Sequence, residues 1–111
     1  MTDIDLQKNK CKPCEGGVSP LTEAEALRLL KQLNGWQLHT QHIIKAFDFK
    51  NFDQTMAFVN AVAWISQKED HHPELKVSYS QCQISYQTHA IGGLSENDFI
   101  CAAKIDALFD L

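Results

Sequence analysis

The amino-acid sequence predicts a single α+β domain in which a four-stranded antiparallel sheet is covered by helices on one face. Its 111 residues are 44% hydrophobic and 22% charged, the length and composition of one ordinary globular domain. Apolar residues recur at helical spacing in three segments and at alternate spacing in four, in the order αββαββα. We expect residues 1–20 to form an irregular arm and residues 21–111 to form the domain.

The first helix and the first hairpin are predicted from the signals at their ends. Thr22 and Glu25 have the spacing of a capping box, in which each side chain accepts a hydrogen bond from a backbone amide at the helix start. Asn34-Gly35 ends this helix, since both residues tolerate a left-handed backbone. Residues 36–49 alternate in polarity around a turn at Thr40-Gln41, which predicts two strands of a hairpin.

The central helix is predicted to run from about Phe52 to Gln67, with Asn51 as its N-cap. Pro73 prevents the helix from continuing past the residues before it. Its main apolar row is Phe52, Met56, Val59 and Ala63, widened by Phe58, Val62 and Ile65. An apolar arc this broad predicts burial against the sheet and against a further surface, such as a second subunit.

The second hairpin and the last helix complete the pattern. Apolar and polar residues alternate over 75–80 and again over 83–89, which predicts two strands joined by a short link. Gly92-Gly93 ends the second of these strands. Ser95 and Asp98 form another capping box, at the start of a helix that reaches about residue 109.

Charge and hydropathy exclude several classes of partner. The formal net charge is −4 and the lysines are scattered among acids, so we expect no nucleic-acid partner. No apolar run approaches the roughly 20 residues that span a bilayer, so we expect no membrane partner. The polar N-terminus lacks the apolar segment of a signal peptide, which predicts a cytoplasmic protein. A chain this short buries a modest share of its surface, which favours an oligomer.

The four cysteines are expected to be free thiols or a metal-binding pair, because a reducing compartment disfavours disulfides. Cys82 and Cys101 lie in alternating or apolar segments and are expected to be buried. Cys11 and Cys14 form a lone CxxC pair that could be half of a zinc site or a redox dithiol. A flexible arm without metal is the favoured interpretation.

The strongest chemical signal is Asp70-His71-His72-Pro73, which places two imidazoles at a corner after a helix. Imidazoles exchange protons near neutral pH, so the pair suits general acid–base catalysis. A solvated loop or single metal ligands are the alternatives. His89 lies on the polar side of its predicted strand and is expected to point away from the helix-packed core. Capping alone explains Asp98, and core packing alone would explain Trp36.

Together these residues resemble the signature of the pterin-4a-carbinolamine dehydratases. His71-His72-Pro73 is followed by His89 seventeen residues after the second histidine, and by Asp98 nine residues later. The resemblance extends from about Leu21 to the C-terminus. Gln67 stands where many relatives carry an acid, with Glu69 and Asp70 nearby. Further matching segments are Gly35-Trp36, Phe47-x-Phe49-x-x-Phe52, Thr88-His89 and Gly93-Leu94-Ser95-x-x-Asp98.

The resemblance implies a hydro-lyase that removes water from 4a-hydroxytetrahydropterin to give quinonoid dihydropterin, as in tetrahydropterin recycling. It implies no cofactor and no catalytic metal. His71 and His89 would be the acid–base pair and His72 would position the pterin. Asp98 would hold an imidazole or the substrate edge, and Trp36 would form a wall of the pocket. The other residues expected to bind substrate are Glu69, Asp70, Pro73 and Thr88.

The resemblance also implies partners and leaves two other functions open. Members of the family are dimers or tetramers, so we expect a homodimer or homotetramer. Some animal relatives are dimerisation cofactors of a transcription factor, which makes a binding module one alternative. A structural protein tethered by zinc at Cys11 and Cys14 is the other.

Overall fold

The computed structural model describes residues 5–13 and 19–110 and confirms the predicted αββαββα order. The four strands form one antiparallel sheet in the order β1-β2-β4-β3. Short 3-10 turns lie in the N-terminal arm, after β4 and after α3. The elements are α1 Glu23–Leu30, β1 Gln37–His39, β2 His42–Asp48, α2 Phe52–Glu69, β3 Glu74–Val77, β4 Gln81–Tyr86 and α3 Glu96–Asp106.

One face of the sheet forms the floor of the hydrophobic core. Residues directly opposite each other on antiparallel strands point to the same face. Ile43 is opposite Tyr86, and Phe47 is opposite Cys82, so all four side chains face the helices. Each is buried, and so is Cys101 of α3, which confirms the predicted burial of Cys82 and Cys101. Helix α3 fills the middle of this core with the fully buried Phe99, Ala102 and Ile105.

The helix starts are the most accurately predicted features of the chain. Both capping boxes are present, at Thr22 with Glu25 and at Ser95 with Asp98. The side chain of Asn51 caps α2 by accepting a hydrogen bond from the backbone N–H of Gln54, at 2.9 Å. A capping side chain supplies an acceptor for an amide that has no partner within the helix. These short-range rules fix where α1, α2 and α3 begin.

The predicted apolar row of α2 is only partly buried within the single chain. Phe52 is 47% exposed and Ala63 is also exposed, so neither packs against the sheet. The buried row contains two polar residues, Thr55 and Ser66, whose hydroxyls donate to backbone carbonyls. Such internal hydrogen bonds make burial of a hydroxyl tolerable, and a count of apolar residues cannot detect them. The apolar members of the buried row are Phe58, Val62 and Ile65.

The second hairpin also ends earlier than predicted. Strand β4 stops at Tyr86, and His89 begins a 3-10 turn, His89–Ile91, so it does not lie on a strand. Gly92 closes this turn with a φ of 66°, and Thr88 pairs with Gly93 in an isolated bridge. The position of His89 is therefore set by the turn, and the strand-parity reasoning for it was wrong.

The N-terminal arm packs onto the domain over residues 5–13. Leu6 is 1% exposed and belongs to the core. The carbonyl of Gln7 accepts a hydrogen bond from Lys104 Nζ at 2.9 Å, which ties the arm to α3. None of the helices in the described ranges is long and apolar enough to cross a bilayer.

Candidate active site

The predicted histidines border a cavity at the junction of α2, the turn after β4, the start of α3 and the N-terminal arm. Its volume is about 580 Å³, within the range of about 300–1,000 Å³ that is usual for small-ligand sites. His71, His72 and His89 all line it. The other lining residues are Cys11, Lys12, Pro13, Lys68, Glu69, Asp70, Gln87, Thr88, Ala90 and Asn97.

The end of α2 turns His71 back toward the domain. Asp70 has a left-handed backbone, with φ 51° and ψ 43°, which ends the helix at the residue before the histidine pair. Aspartate is among the few residues other than glycine that adopt this conformation readily. The backbone N–H of His71 then donates to the carbonyl of Ser66 at 3.1 Å. The local sequence therefore fixes where the His71 side chain leaves the backbone.

The His71 ring is held by a buried carboxylate and an aromatic ring. Its Nε2 lies 2.6 Å from Oδ1 of Asp98, whose side chain is fully buried. The ring also stacks on Tyr86, with centroids 5.5 Å apart and planes 6° from parallel. Because a carboxylate only accepts hydrogen bonds, this contact places a proton on Nε2. Nδ1 is then the ring nitrogen that remains for proton exchange.

Asp98 has a second role besides capping α3. Its Oδ2 accepts hydrogen bonds from the backbone N–H of Ser95 at 3.0 Å and from the hydroxyl of Thr88 at 2.8 Å. With the contact from His71, the buried carboxylate therefore has three partners. A buried charge needs such partners, because an unpaired one would be strongly destabilising. The sequence correctly predicted that Asp98 caps α3, but capping does not account for its contacts with His71 and Thr88.

His72 and His89 are more exposed than His71. Both side chains belong to exposed residues, and both line the cavity. Nδ1 of His89 lies 3.4 Å from Nε2 of the Gln87 side chain. The three imidazoles thus reach the same space from two segments, the end of α2 and the turn after β4.

The remaining predicted site residues divide into two groups. Glu69, Asp70 and Thr88 line the cavity, whereas Pro73 is absent from its lining. Trp36 lies in the core, where it is 5% exposed and contacts Phe47 edge-on. Its indole N–H donates to Asp106 at 3.0 Å. The structure therefore gives Trp36 a packing role and does not bring it to the cavity.

Sequence reasoning missed the contribution of the N-terminal arm to this cavity. Cys11, Lys12 and Pro13 line it together with Asn97 of α3. The arm and α3 are more than 80 residues apart in sequence. No periodicity or short motif connects segments at that separation, so only the tertiary contact reveals them.

The partly buried Cys11, which lines the cavity, meets the buried Cys101 of α3. Sγ of Cys11 lies 3.5 Å from Sγ of Cys101. This hydrogen bond, together with burial, raises the pKa of the Cys11 thiol, which lowers its reactivity as a thiolate. Cys14, the second residue of the predicted CxxC pair, lies outside the described residues. Within residues 5–13 and 19–110, no cluster of three or more metal-binding side chains is arranged to hold an ion.

The arrangement suits acid–base chemistry on a small polar ligand. Histidine side chains can give and take protons at neutral pH, and two are presented by separate segments around one cavity. His71 is oriented by Asp98, in the manner of a base fixed by a third group. The site therefore has the parts needed for a reaction that moves two protons.

Comparison with known proteins identifies the family. The family model for pterin 4 alpha carbinolamine dehydratase matches residues 19–108. A protein of Nitrosomonas eutropha, provisionally named a pterin-4-alpha-carbinolamine dehydratase, is 66% identical over 110 residues, which are 97% of each chain. A relative from Nitrosospira multiformis with the same provisional name is 62% identical and covers 96% of this chain and 95% of its own.

Two solved structures resemble the fold. A transcriptional coactivator/pterin dehydratase from Brucella melitensis has a TM-score of 0.78 and 34% identity, over 81% of this chain and 98% of its own. A pterin dehydratase-like protein, described as a RuBisCO assembly factor in the alpha-carboxysome, has a TM-score of 0.57 and 26% identity, over 69% of this chain and 92% of its own. The family model and the relatives show that the chain belongs to the pterin 4 alpha carbinolamine dehydratase family.

Proposed function

We propose that this protein is a dehydratase that removes water from 4a-hydroxytetrahydropterin to give quinonoid dihydropterin. The observation that carries the proposal is the convergence of His71, His72 and His89 on one cavity, with His71 fixed by Asp98. The family match supplies the substrate class. A flat, polar pterin ring is compatible with a cavity of about 580 Å³ that is lined mainly by polar side chains.

The proposed reaction is an elimination across C4a and N5 of the pterin. The C4a–O bond breaks as the hydroxyl takes a proton from an acid and leaves as water. A base removes the proton from N5, whose electrons form the new C=N double bond. His71 and His89 serve as the acid–base pair, and His72 positions the pterin. The product belongs to tetrahydropterin recycling, in which a hydroxylase that uses tetrahydropterin generates the 4a-hydroxy compound.

The direct test is a stopped-flow dehydration assay. 4a-Hydroxytetrahydropterin is generated in the instrument, and its decay is followed by absorbance with and without the purified protein. We expect saturable acceleration that is proportional to the protein concentration. Decay at the uncatalysed rate would contradict the proposal.

Catalysis is expected to survive removal of metal ions. Imidazoles move both protons in the proposed reaction, so exhaustive treatment with a chelator should leave kcat and KM unchanged within about two-fold. The same assay before and after chelation checks this, with metal content measured on both samples. Loss of turnover that zinc restores would instead support the site built on Cys11 and Cys14.

We also propose that the chain forms a homodimer or homotetramer. Strand β3 has only β4 as a partner among the strands of the described residues, which leaves its outer edge free. Leu75, Val77 and Tyr79 are 37%, 40% and 67% exposed on this segment, and Trp64 of α2 is 64% exposed. An exposed strand edge that carries apolar side chains is a feature of surfaces that other chains cover.

Light scattering during size-exclusion chromatography tests this association. We expect a mass of two or four chains for the wild type and a lower mass for Val77→Glu, which places a charge in the apolar segment. Lys76→Glu changes a neighbouring residue on the opposite face of β3 and is the matched control. A monomeric wild type at micromolar concentration would contradict the proposal.

A protein-binding role is the second candidate. It is favoured by the two solved relatives, one described as a transcriptional coactivator/pterin dehydratase and one as an assembly factor. Such a role requires no turnover. A stable complex with a protein partner, together with no acceleration in the dehydration assay, would favour it over the enzyme.

A further inference from the structure

We propose that residues 11–13 of the N-terminal arm form a fixed wall of the substrate cavity and that Asn97 is the positioning residue that holds this wall. The inference rests on the proposed function, because it assigns the arm to the binding of the same substrate. Cys11, Lys12 and Pro13 all line the cavity that the three histidines border. Catalysis itself is left to the histidines.

The side-chain amide of Asn97 binds the backbone of the arm, much as the backbone of a neighbouring strand would. Its Oδ1 accepts a hydrogen bond from the N–H of Lys12 at 2.9 Å, and its Nδ2 donates to the carbonyl of Lys12 at 2.5 Å. The Asn97 residue is 6% exposed, so water competes little for these bonds. A side-chain amide is suited to this task because it offers a donor and an acceptor together.

Three further contacts hold the adjacent residue, Cys11. Its backbone N–H donates to Oε1 of Glu69 at 2.8 Å, and its thiol lies 3.5 Å from both Sγ of Cys101 and the carbonyl of Asn97. These contacts reach the arm from α2 and from α3. The arm is therefore attached to both α2 and α3 beside the cavity that it lines.

The first turn of α3 organises both sides of the site. Asn97 holds the arm, and the next residue, Asp98, holds His71. Ser95 anchors this turn, since its backbone N–H donates to Asp98 and its hydroxyl accepts from the N–H of Asn97. Loss of the Asn97 side chain should release the arm while the contact between Asp98 and His71 remains.

The arm lies outside the part of the chain that defines the family. The family model begins at residue 19, whereas the Nitrosomonas eutropha relative matches 97% of this chain. The wall thus adds to a catalytic cavity that the rest of the domain already builds. A group that contacts ground state and transition state alike affects KM more than kcat. We therefore expect that loosening the arm raises KM and changes kcat little.

The test compares Asn97→Leu with the matched control Lys104→Ala. Both residues lie on α3 and hold the arm, but Lys104 binds Gln7, which is not part of the cavity lining. We expect Asn97→Leu to raise KM for 4a-hydroxytetrahydropterin about ten-fold, with kcat within about two-fold of wild type. Lys104→Ala should leave both constants unchanged. Asn97→Ala repeats the comparison if leucine disturbs folding.

Two measurements independent of turnover complete the test. Hydrogen exchange at the Lys12 amide should be about ten-fold faster in Asn97→Leu and unchanged in Lys104→Ala. Calorimetry with 7,8-dihydrobiopterin as the probe should show a matching loss of affinity. Faster hydrogen exchange at the Lys12 amide with an unchanged KM and an unchanged affinity for the probe would overturn the inference. A fall in kcat as large as the rise in KM would also overturn it. If the wild type binds the probe without turnover, the dehydratase proposal fails, and the affinity comparison still decides the role of the arm.

Discussion

Replacing His71 with alanine is expected to lower kcat for dehydration by about 10²–10⁴-fold, the range usual for loss of one general acid or base. His89→Ala should have an effect in the same range, since the elimination needs one group for the hydroxyl and one for N5. His89→Ala should fold normally because His89 is exposed, and His71→Ala should fold with lower stability because Asp98 keeps two of its three partners. The measurement is kcat and KM by stopped flow, with circular dichroism to verify folding.

Two controls accompany these variants: the two C4a stereoisomers of the substrate, and the variant His72→Ala. The leaving hydroxyl faces opposite directions in the two isomers, so each single variant should be impaired more strongly on one of them. The double variant should be close to inactive on both. His72→Ala should instead raise KM more than it lowers kcat, as expected for a group that positions the ring. Near-normal kcat of His71→Ala and His89→Ala on both isomers would show that these residues are not the proton carriers.

Asp98→Asn is expected to lower both activity and stability. The amide cannot accept from His71, Thr88 and Ser95 as the carboxylate does, because one of its two ends is a donor. We expect about 2–4 kcal/mol loss in the free energy of unfolding, from a buried network left partly unsatisfied. Misplacement of the imidazole should lower kcat by about 10²-fold. Urea unfolding and the dehydration assay measure the two effects.

The other capping box offers the matched control for Asp98. Glu25 occupies the equivalent position at the start of α1, where its carboxylate also accepts from the N-cap backbone. Those hydrogen bonds hold the pKa of the Glu25 carboxyl below its usual value, yet the residue is exposed and does not line the cavity. Glu25→Ala should therefore leave kcat unchanged. A normal kcat in Asp98→Asn would contradict the positioning role of Asp98.

The features of the fold that depend on neighbouring residues could be predicted from the sequence. Capping residues, turn residues and alternating polarity act over a few positions, which is why the starts of α1 and α3 and the presence of both hairpins were predicted correctly, whereas the end of β4 was not. Phe58, Val62 and Ile65 of the predicted apolar arc of α2 are buried, but Thr55 and Ser66 were missed, because they are buried through hydrogen bonds to carbonyls. Polarity alone does not indicate whether such a bond will form.

The candidate site could be predicted only in part for a similar reason. The spacing of His71, His72, His89 and Asp98 suggested a shared site through family resemblance, and the structure places the three histidines on one cavity. Their chemical roles stay predictions. The lining by Cys11, Lys12 and Pro13 had no sequence signal, since it depends on contacts with Glu69, Asn97 and Cys101, which lie 58 to 90 positions away.

The most direct test of the central claim is a titration of 7,8-dihydrobiopterin followed by the NMR signals of the histidine rings. The chain contains five histidines, and His39 and His42 stack on each other outside the cavity lining. We expect the ring signals of His71, His72 and His89 to shift together and to saturate with one dissociation constant, while those of His39 and His42 stay unchanged. Shifts confined to His39 and His42, or saturation without any change at the three cavity histidines, would contradict a pterin site at this position.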